Sequence, residues 1–140
     1  MRVAVIGDGG WGTALALALA RNGHAPRVWG PSAEYVAEIR QTRQNRKFLP
    51  GVDLPETIGW TADPDEALAG AEAVVMVVPS KYVRAALERF APAYRAAAPL
   101  PVVSATKGFD ESTQERMTEI LSELWGVKAP AALSGPSIAP

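Results

Sequence analysis

The stretch Val3-Ala4-Val5-Ile6-Gly7-Asp8-Gly9-Gly10-Trp11-Gly12-Thr13-Ala14 governs the reading of this sequence. Its first four residues form a short unbroken apolar run, the pattern of a strand covered on both faces, and the glycines after it break the run into a turn. Ala and Leu, the strongest helix formers, then dominate residues 11–22 until Asn22-Gly23 supplies a stop. Gly7, Gly9 and Gly12 fit the spacing G-x-G-x-x-G. Each position has a steric reason to lack a side chain. The first permits a tight turn, the second lets a diphosphate approach the backbone, and the third lets helix and strand pack closely while free amides and the helix dipole face the anion. The spacing alone is weak, but a strand before it and a helix after it are the context a dinucleotide site requires. The competing reading is a glycine turn kept for its shape, with no ligand.

Outward from that turn, strands and helices alternate. Arg27-Val28-Trp29 reads as a second strand, and Ser32 is placed to cap a helix running to about Gln41. Asn45 to Pro55 holds two prolines and a glycine and reads as a loop within reach of the ligand. Asp63-Pro64-Asp65-Glu66 combines a capping Asp, proline at the first helical position and Glu three after the cap, which predicts a short helix through Leu68. Ala73-Val74-Val75-Met76-Val77-Val78 is unbroken and β-branched, as expected of a central parallel strand stopped by Pro79. Ser80 should cap the next helix, with Val83, Leu87 and Phe90 on one face. Val102-Val103-Ser104 makes a further strand, and Ser112 with Glu115 forms a capping box opening a helix whose Met117, Ile120, Leu121 and Leu124 share a face. Ala131-Ala132-Leu133 reads as the last strand. This order predicts an α/β fold, a doubly wound parallel sheet of the Rossmann kind, with residues 1–140 as one dinucleotide-binding domain and ligands at the carboxyl strand ends.

Composition excludes several other classes. Fourteen basic against fifteen acidic residues give a net charge of −1, which supplies no long-range field for nucleic acid or an anionic membrane. The apolar fraction of 48% and charged fraction of 21% are ordinary for a globular chain of this size. With no cysteine there is neither a disulfide framework nor a thiolate metal site, and a reducing, cytoplasmic setting is the expectation. The opening apolar run is too short for a membrane span. No metal site is expected.

Two positions bear on chemistry. An acid that grips the adenosine ribose belongs about 20 residues beyond the glycine turn, at the end of the second strand. Trp29-Gly30-Pro31-Ser32 stands there instead, with Glu34 the nearest carboxylate and Arg27 the nearest base, so NAD and NADP are both left open at this point. Hydride transfer to a carbonyl also needs a group that neutralises or protonates the oxygen. The single histidine, His24, follows the stop of the first helix and reads as a surface turn residue at the wrong end of the sheet. Lys107 follows a strand and precedes Gly108, which places it near the same crevice as the glycines, although most lysines are solvated surface charges. Trp11 is placed either to wall the cofactor or simply to pack.

Gly7-Asp8-Gly9-Gly10-Trp11-Gly12-Thr13-Ala14, Asn45 with Phe48-Leu49-Pro50-Gly51, Val78-Pro79-Ser80, Thr106-Lys107-Gly108 and Leu133-Ser134-Gly135-Pro136-Ser137 resemble, in order, the motifs of bacterial NAD(P)-dependent glycerol-3-phosphate dehydrogenases. The resemblance implies reduction of dihydroxyacetone phosphate to sn-glycerol 3-phosphate with NAD(P)H, feeding phospholipid synthesis. By that analogy Gly10, Trp11, Pro31, Ser32, Phe48 and Ala139 occupy cofactor-contact positions. Lys107 lies between cofactor and substrate and stabilises the developing alkoxide, and Gly135 and Ser137 contact substrate. This sequence has Pro31 where the family commonly has an Arg that grips the 2′-phosphate, so a preference for NADP is not implied. The family also continues into a helical domain with a second lysine, so an incomplete catalytic set and self-association through the uncovered face are expected. The alternatives are a stand-alone NAD(P)-binding module and the cofactor domain of a related dehydrogenase acting on 2-hydroxy acids or sugar nucleotides; Ser134-Gly135-Pro136-Ser137 argues against the latter.

Overall fold

A computed structural model describes residues 1–97 and 99–135. Strands β1 (Arg2–Ile6), β2 (Ala25–Trp29), β3 (Gly59–Thr61), β4 (Ala73–Met76), β5 (Val102–Ser104) and β6 (Ala131–Ala132) form one sheet in the order β3-β2-β1-β4-β5-β6. Every pairing is parallel. Sequential strands run outward from β1 in both directions, so the switch in direction falls between β1 and β4, the place where such sheets open a crevice. The doubly wound reading is correct.

Burial shows why β1 lacks the polar alternation of a half-exposed strand. Val3 and Val5 pack on one face with Ala16 and Leu17 of helix α1 (Gly10–Arg21) and Val36 and Ile39 of α2 (Ala33–Thr42). Ala4 and Ile6 pack on the other with residues of α3 (Pro64–Leu68), α4 (Val83–Ala97) and α5 (Met117–Trp125). A strand covered on both sides buries side chains of both parities and so reads as a continuous apolar run. Phe90 anchors the second face, its ring 5.0 Å from that of Trp29, while Trp125 stacks on Tyr94 at 4.2 Å and donates its indole N–H to Leu87 O at 2.8 Å.

Three expectations need correction, and one strand carries no sequence signal of its own. β3 has three residues, one of them glycine, and it exists because Arg27, Val28 and Trp29 offer it a register. β2 starts two residues early and includes Pro26, tolerated because Ala25 N–H already points to Met1 O, which turns the nitrogen of residue 26 toward a side that β3 does not reach. Ser80 caps nothing; it opens a 3₁₀ turn, Ser80–Tyr82, that leads into α4. The helix expected from Ser112 begins at Met117 instead. Ser112 Oγ and Thr113 Oγ1 are drawn to Asp110 Oδ1 at 2.5 and 3.1 Å, while Glu119 reaches back to the Arg116 amide at 2.8 Å and serves as the acid of the true helix start. Elsewhere Ser32 and Asp63 cap α2 and α3, accepting from Tyr35 N–H at 3.2 Å and Asp65 N–H at 2.8 Å.

Candidate functional site

The carboxyl ends of the central strands converge on the glycine turn. Gly7 N–H donates to Trp29 O at 3.0 Å, and Val77 N–H donates to Ile6 O at 2.9 Å, so the turn is clasped between the exits of β2 and β4. Gly7 sits at φ +131°, and a Cβ there would lie 2.9 Å from the carbonyl carbon of Val77. A Cβ on Gly12 would overlap Gly7 O, and one on Gly10 would stand 2.6 Å from Phe48 O. The fold itself therefore demands glycine at these three positions. Gly9 is different: a Cβ there would meet no protein atom within 4 Å, and its φ of −65° and ψ of 176° suit any residue. Among the described residues nothing asks for glycine at position 9.

Gly9 is the residue before α1, and it caps the helix without a side chain. The first turn of α1 contains no acidic residue either. Its opening amides and the positive end of its dipole are thus left to an external anion, and they meet it where Gly7, Asp8 and Gly9 line a crevice of about 530 Å³. The crevice continues as a mainly apolar slot between Trp29, Pro31, Val78, Pro79, Tyr82 and Ala86. A smaller polar cavity of about 320 Å³ adjoins it, sharing Asp8, Pro31 and Phe48 and adding Ser32, Glu34, Tyr35, Glu38 and Lys47.

The loop after α2 reaches this site through Asn45, which is fully buried. Its amide donates to Asp8 O at 2.7 Å and Thr13 Oγ1 at 2.8 Å, and its Oδ1 accepts from the Tyr35 hydroxyl at 2.6 Å and Phe48 N–H at 3.2 Å. One side chain thereby ties the loop to both the turn and α1, and sets Phe48 over Gly10. Burial pushes the Asp8 carboxyl above its usual range, against the opposing pull of its own backbone N–H and the Lys47 ammonium.

The structure brings Gly7, Gly9, Pro31 and Phe48 together on the crevice, with Ser32 in the adjoining cavity and Gly10 and Gly12 packed beneath. Trp11 lines neither cavity and is 49% exposed, so it is no core residue here. Lys107 is exposed and lines neither cavity, yet its loop lies beside the exit of β4, where Thr106 Oγ1 donates to Val78 O at 2.8 Å. Gly135 is exposed, and Ser137 and Ala139 lie outside the described residues. His24 stands at the opposite end of the sheet, its Nδ1 3.4 Å from the amino terminus. Asn45 was visible in the sequence only as part of a motif; its role as a clamp and the position of Asp8 needed the fold. Among the described residues no cluster of three His, Cys, Asp or Glu side chains could hold a metal ion, and no helix is long and apolar enough to cross a membrane.

A parallel sheet of this order, with an uncapped helix opening on a crevice at its switch point, defines the class of Rossmann dinucleotide-binding folds. The family described as NAD-dependent glycerol-3-phosphate dehydrogenase N-terminus matches residues 2–140. Glycerol-3-phosphate dehydrogenase [NAD(P)+] of Geobacillus thermodenitrificans is 45% identical over 138 residues, covering 96% of this chain and 39% of that protein. A Mycobacterium tuberculosis relative of the same name, numbered 2, is 44% identical over 139 residues, covering 98% and 41%. The crystal structure of glycerol-3-phosphate dehydrogenase from Coxiella burnetii superposes with a TM-score of 0.88 at 32% identity, covering 98% of this chain and 41% of that one. This chain belongs to the NAD(P)-dependent glycerol-3-phosphate dehydrogenase family and corresponds to its N-terminal, NAD-binding part. It spans about two-fifths of the length of these relatives.

Proposed function

We propose that residues 1–140 act as the cofactor-binding unit of a cytoplasmic enzyme that reduces dihydroxyacetone phosphate to sn-glycerol 3-phosphate for phospholipid synthesis. The observation that carries this reading is Gly9. Its missing side chain clears space for no atom of the described residues, while the uncapped amides of α1 open onto the same space. A diphosphate fits that cradle, and an adenine fits the apolar slot beside Trp29 and Pro31. A reduced nicotinamide dinucleotide would supply the hydride. The chain's own residues bind and orient: the amides of α1 hold the diphosphate, Asn45 fixes the loop that covers it, and Phe48 closes the slot.

Lys107 is the group assigned to the developing alkoxide, with Gly135 and Ser137 on the substrate and Trp11, Ser32 and Ala139 on the cofactor. An ammonium beside that oxygen stabilises the transition state more than the ground state, which is what accelerates reduction. Lys107 is exposed and, among the described residues, hydrogen-bonded to none, so nothing holds its ammonium in a productive position. The 140-residue chain is therefore expected to bind dinucleotide and to turn over little or no dihydroxyacetone phosphate. Trp11, Tyr82, Phe109 and Leu133 are large apolar side chains left exposed in segments that follow strand exits, Phe48 is another on the loop after α2, and self-association through them is expected.

Calorimetric titration with NADH and NADPH tests the binding half of this reading, and NADH consumption with dihydroxyacetone phosphate tests the other. Saturable dinucleotide binding without turnover is the expected pair of results. Absence of binding by either dinucleotide would sink the reading, and brisk reduction by the 140-residue chain would remove its claim of incompleteness.

A further inference from the structure

We propose that Asp8 is the ribose-binding acid of this site and that it makes the chain select NAD(H) over NADP(H), an inference that rests on the cofactor-binding reading above. In folds of this class a carboxylate at the end of the second strand accepts hydrogen bonds from the adenosine ribose, and a nearby arginine accommodates a 2′-phosphate instead. Residues 29–32 here are Trp, Gly, Pro and Ser, which provide neither. The carboxylate arrives from the neighbouring strand exit. A Cβ on Gly30 would overlap Asp8 Oδ2 and lie 2.8 Å from Asp8 Cγ, so the Asp8 side chain fills the volume above the end of β2. Gly30 is buried and has no positive φ, which leaves room for Asp8 as the reason for glycine there.

Asp8 also stands on the ridge between the two cavities, one holding the diphosphate cradle and apolar slot, the other polar. A ribose joining a diphosphate at Gly9 to an adenine in the slot must pass that ridge. Among the described residues, no other residue donates a hydrogen bond to the Asp8 carboxylate, so its oxygens remain open to two vicinal hydroxyls. A 2′-phosphate would instead enter the polar cavity facing Asp8, Glu34 and Glu38. Among the described residues lining that cavity the single cation is Lys47, whose ammonium rests over the Phe48 and Tyr35 rings at 4.9 and 6.0 Å, while Arg89 is held in the neighbouring crevice over the Trp29 ring. Three carboxylates against one ammonium disfavour a second phosphate, which is how like-charge juxtaposition produces selectivity.

The test is calorimetric titration of the chain with NADH, NADPH, 5′-ADP and adenosine 2′,5′-bisphosphate, repeated on Asp8→Ala. The wild type should bind NADH at least about tenfold more tightly than NADPH, and Asp8→Ala should weaken NADH about tenfold and bring the two within about threefold. The two adenosine phosphates should show the same order. Gly30→Ala keeps every charge and displaces only the Asp8 side chain, so it should narrow the ratio as well, and circular dichroism confirms that each variant folds. Equal or tighter binding of NADPH by the wild type overturns the proposal, as does a wild-type ratio in both variants. Binding of neither dinucleotide would instead remove the cofactor reading on which it stands.

Discussion

Replacing Gly9 and Gly12 separately by alanine should divide stability from binding, because the two glycines are needed for different reasons. At Gly12 the new methyl overlaps Gly7 O and comes within 3.0 Å of Val77 Cγ1, and the overlapped atom is backbone that cannot swing aside. Overpacking of that kind costs about 3 kcal/mol or more, which for a chain of this size lowers the melting temperature by about 10 °C. At Gly9 the methyl meets nothing within 4 Å and the backbone angles already suit alanine. Losing glycine at a helix cap costs about 0.5–1 kcal/mol, and stiffening the unfolded chain returns about 0.4–1 kcal/mol, so stability should change by less than about 0.5 kcal/mol. The same methyl stands where the diphosphate must approach, and NADH affinity should fall at least about tenfold, or about 1.4 kcal/mol. Thermal melts by circular dichroism and titration calorimetry give the two readouts. A Gly9→Ala chain that melts as early as Gly12→Ala, or one that binds NADH like the wild type, would refute the reasoning.

Other perturbations follow from the same geometry. Asn45→Ala removes both amide donors and Oδ1 from a fully buried site, leaving Asp8 O with only a long bond from Thr13 Oγ1 and the Tyr35 hydroxyl without its acceptor, so urea denaturation should show a loss of about 2–3 kcal/mol; a change below about 0.5 kcal/mol would mean that the loop is held by something else. Hydrogen bonds from the Ser112 hydroxyl and the Thr113 amide, joined by the Ser112 amide and the Thr113 hydroxyl, hold the Asp110 carboxyl well below its ordinary value of 3.8. A depressed acid stabilises the fold above its unfolded value, and that stability drains away as pH falls below 3.8, so Asp110→Asn should be less stable at neutral pH and lose less on acidification; parallel pH–stability curves for the two proteins would contradict this. Lys107→Met should leave the melting temperature and NADH affinity nearly unchanged, since an exposed side chain away from special contacts shifts stability by about 0.5 kcal/mol or less, while any turnover of dihydroxyacetone phosphate should drop about a hundredfold.

The parts of the fold legible in the sequence are those whose cause is local or periodic. Val3–Ile6 followed by spaced glycines announces β1, its turn and α1, because each glycine's steric role is written in its position. Ser32 and Asp63 mark helix starts because the bonds they accept lie two or three residues ahead. β3 was illegible because its stability comes from pairing with β2, 32 residues earlier in register. Ser112 misled because a hydroxyl near an aspartate has two local options, and Asp110 took it. At the site, the spacing already gave Gly9 a role apart from Gly7 and Gly12, but that Gly10 has no room for a side chain beneath Phe48 O was not legible, since that requires knowing what the absent side chain would touch. Asp8 was illegible as a ribose acid for the same reason: a position before α1 reaches the end of β2 only once the sheet places the two exits side by side.

In the proposed reading the amides at the start of α1 receive a diphosphate. Backbone amide chemical shifts of the isotopically labelled chain, followed during titration with ADP-ribose, test it most directly. The largest movements should fall on Gly9, Gly10, Trp11 and Gly12, with smaller ones at Asp8 and Phe48. Saturable binding that leaves those amides unmoved and perturbs another surface would contradict the account.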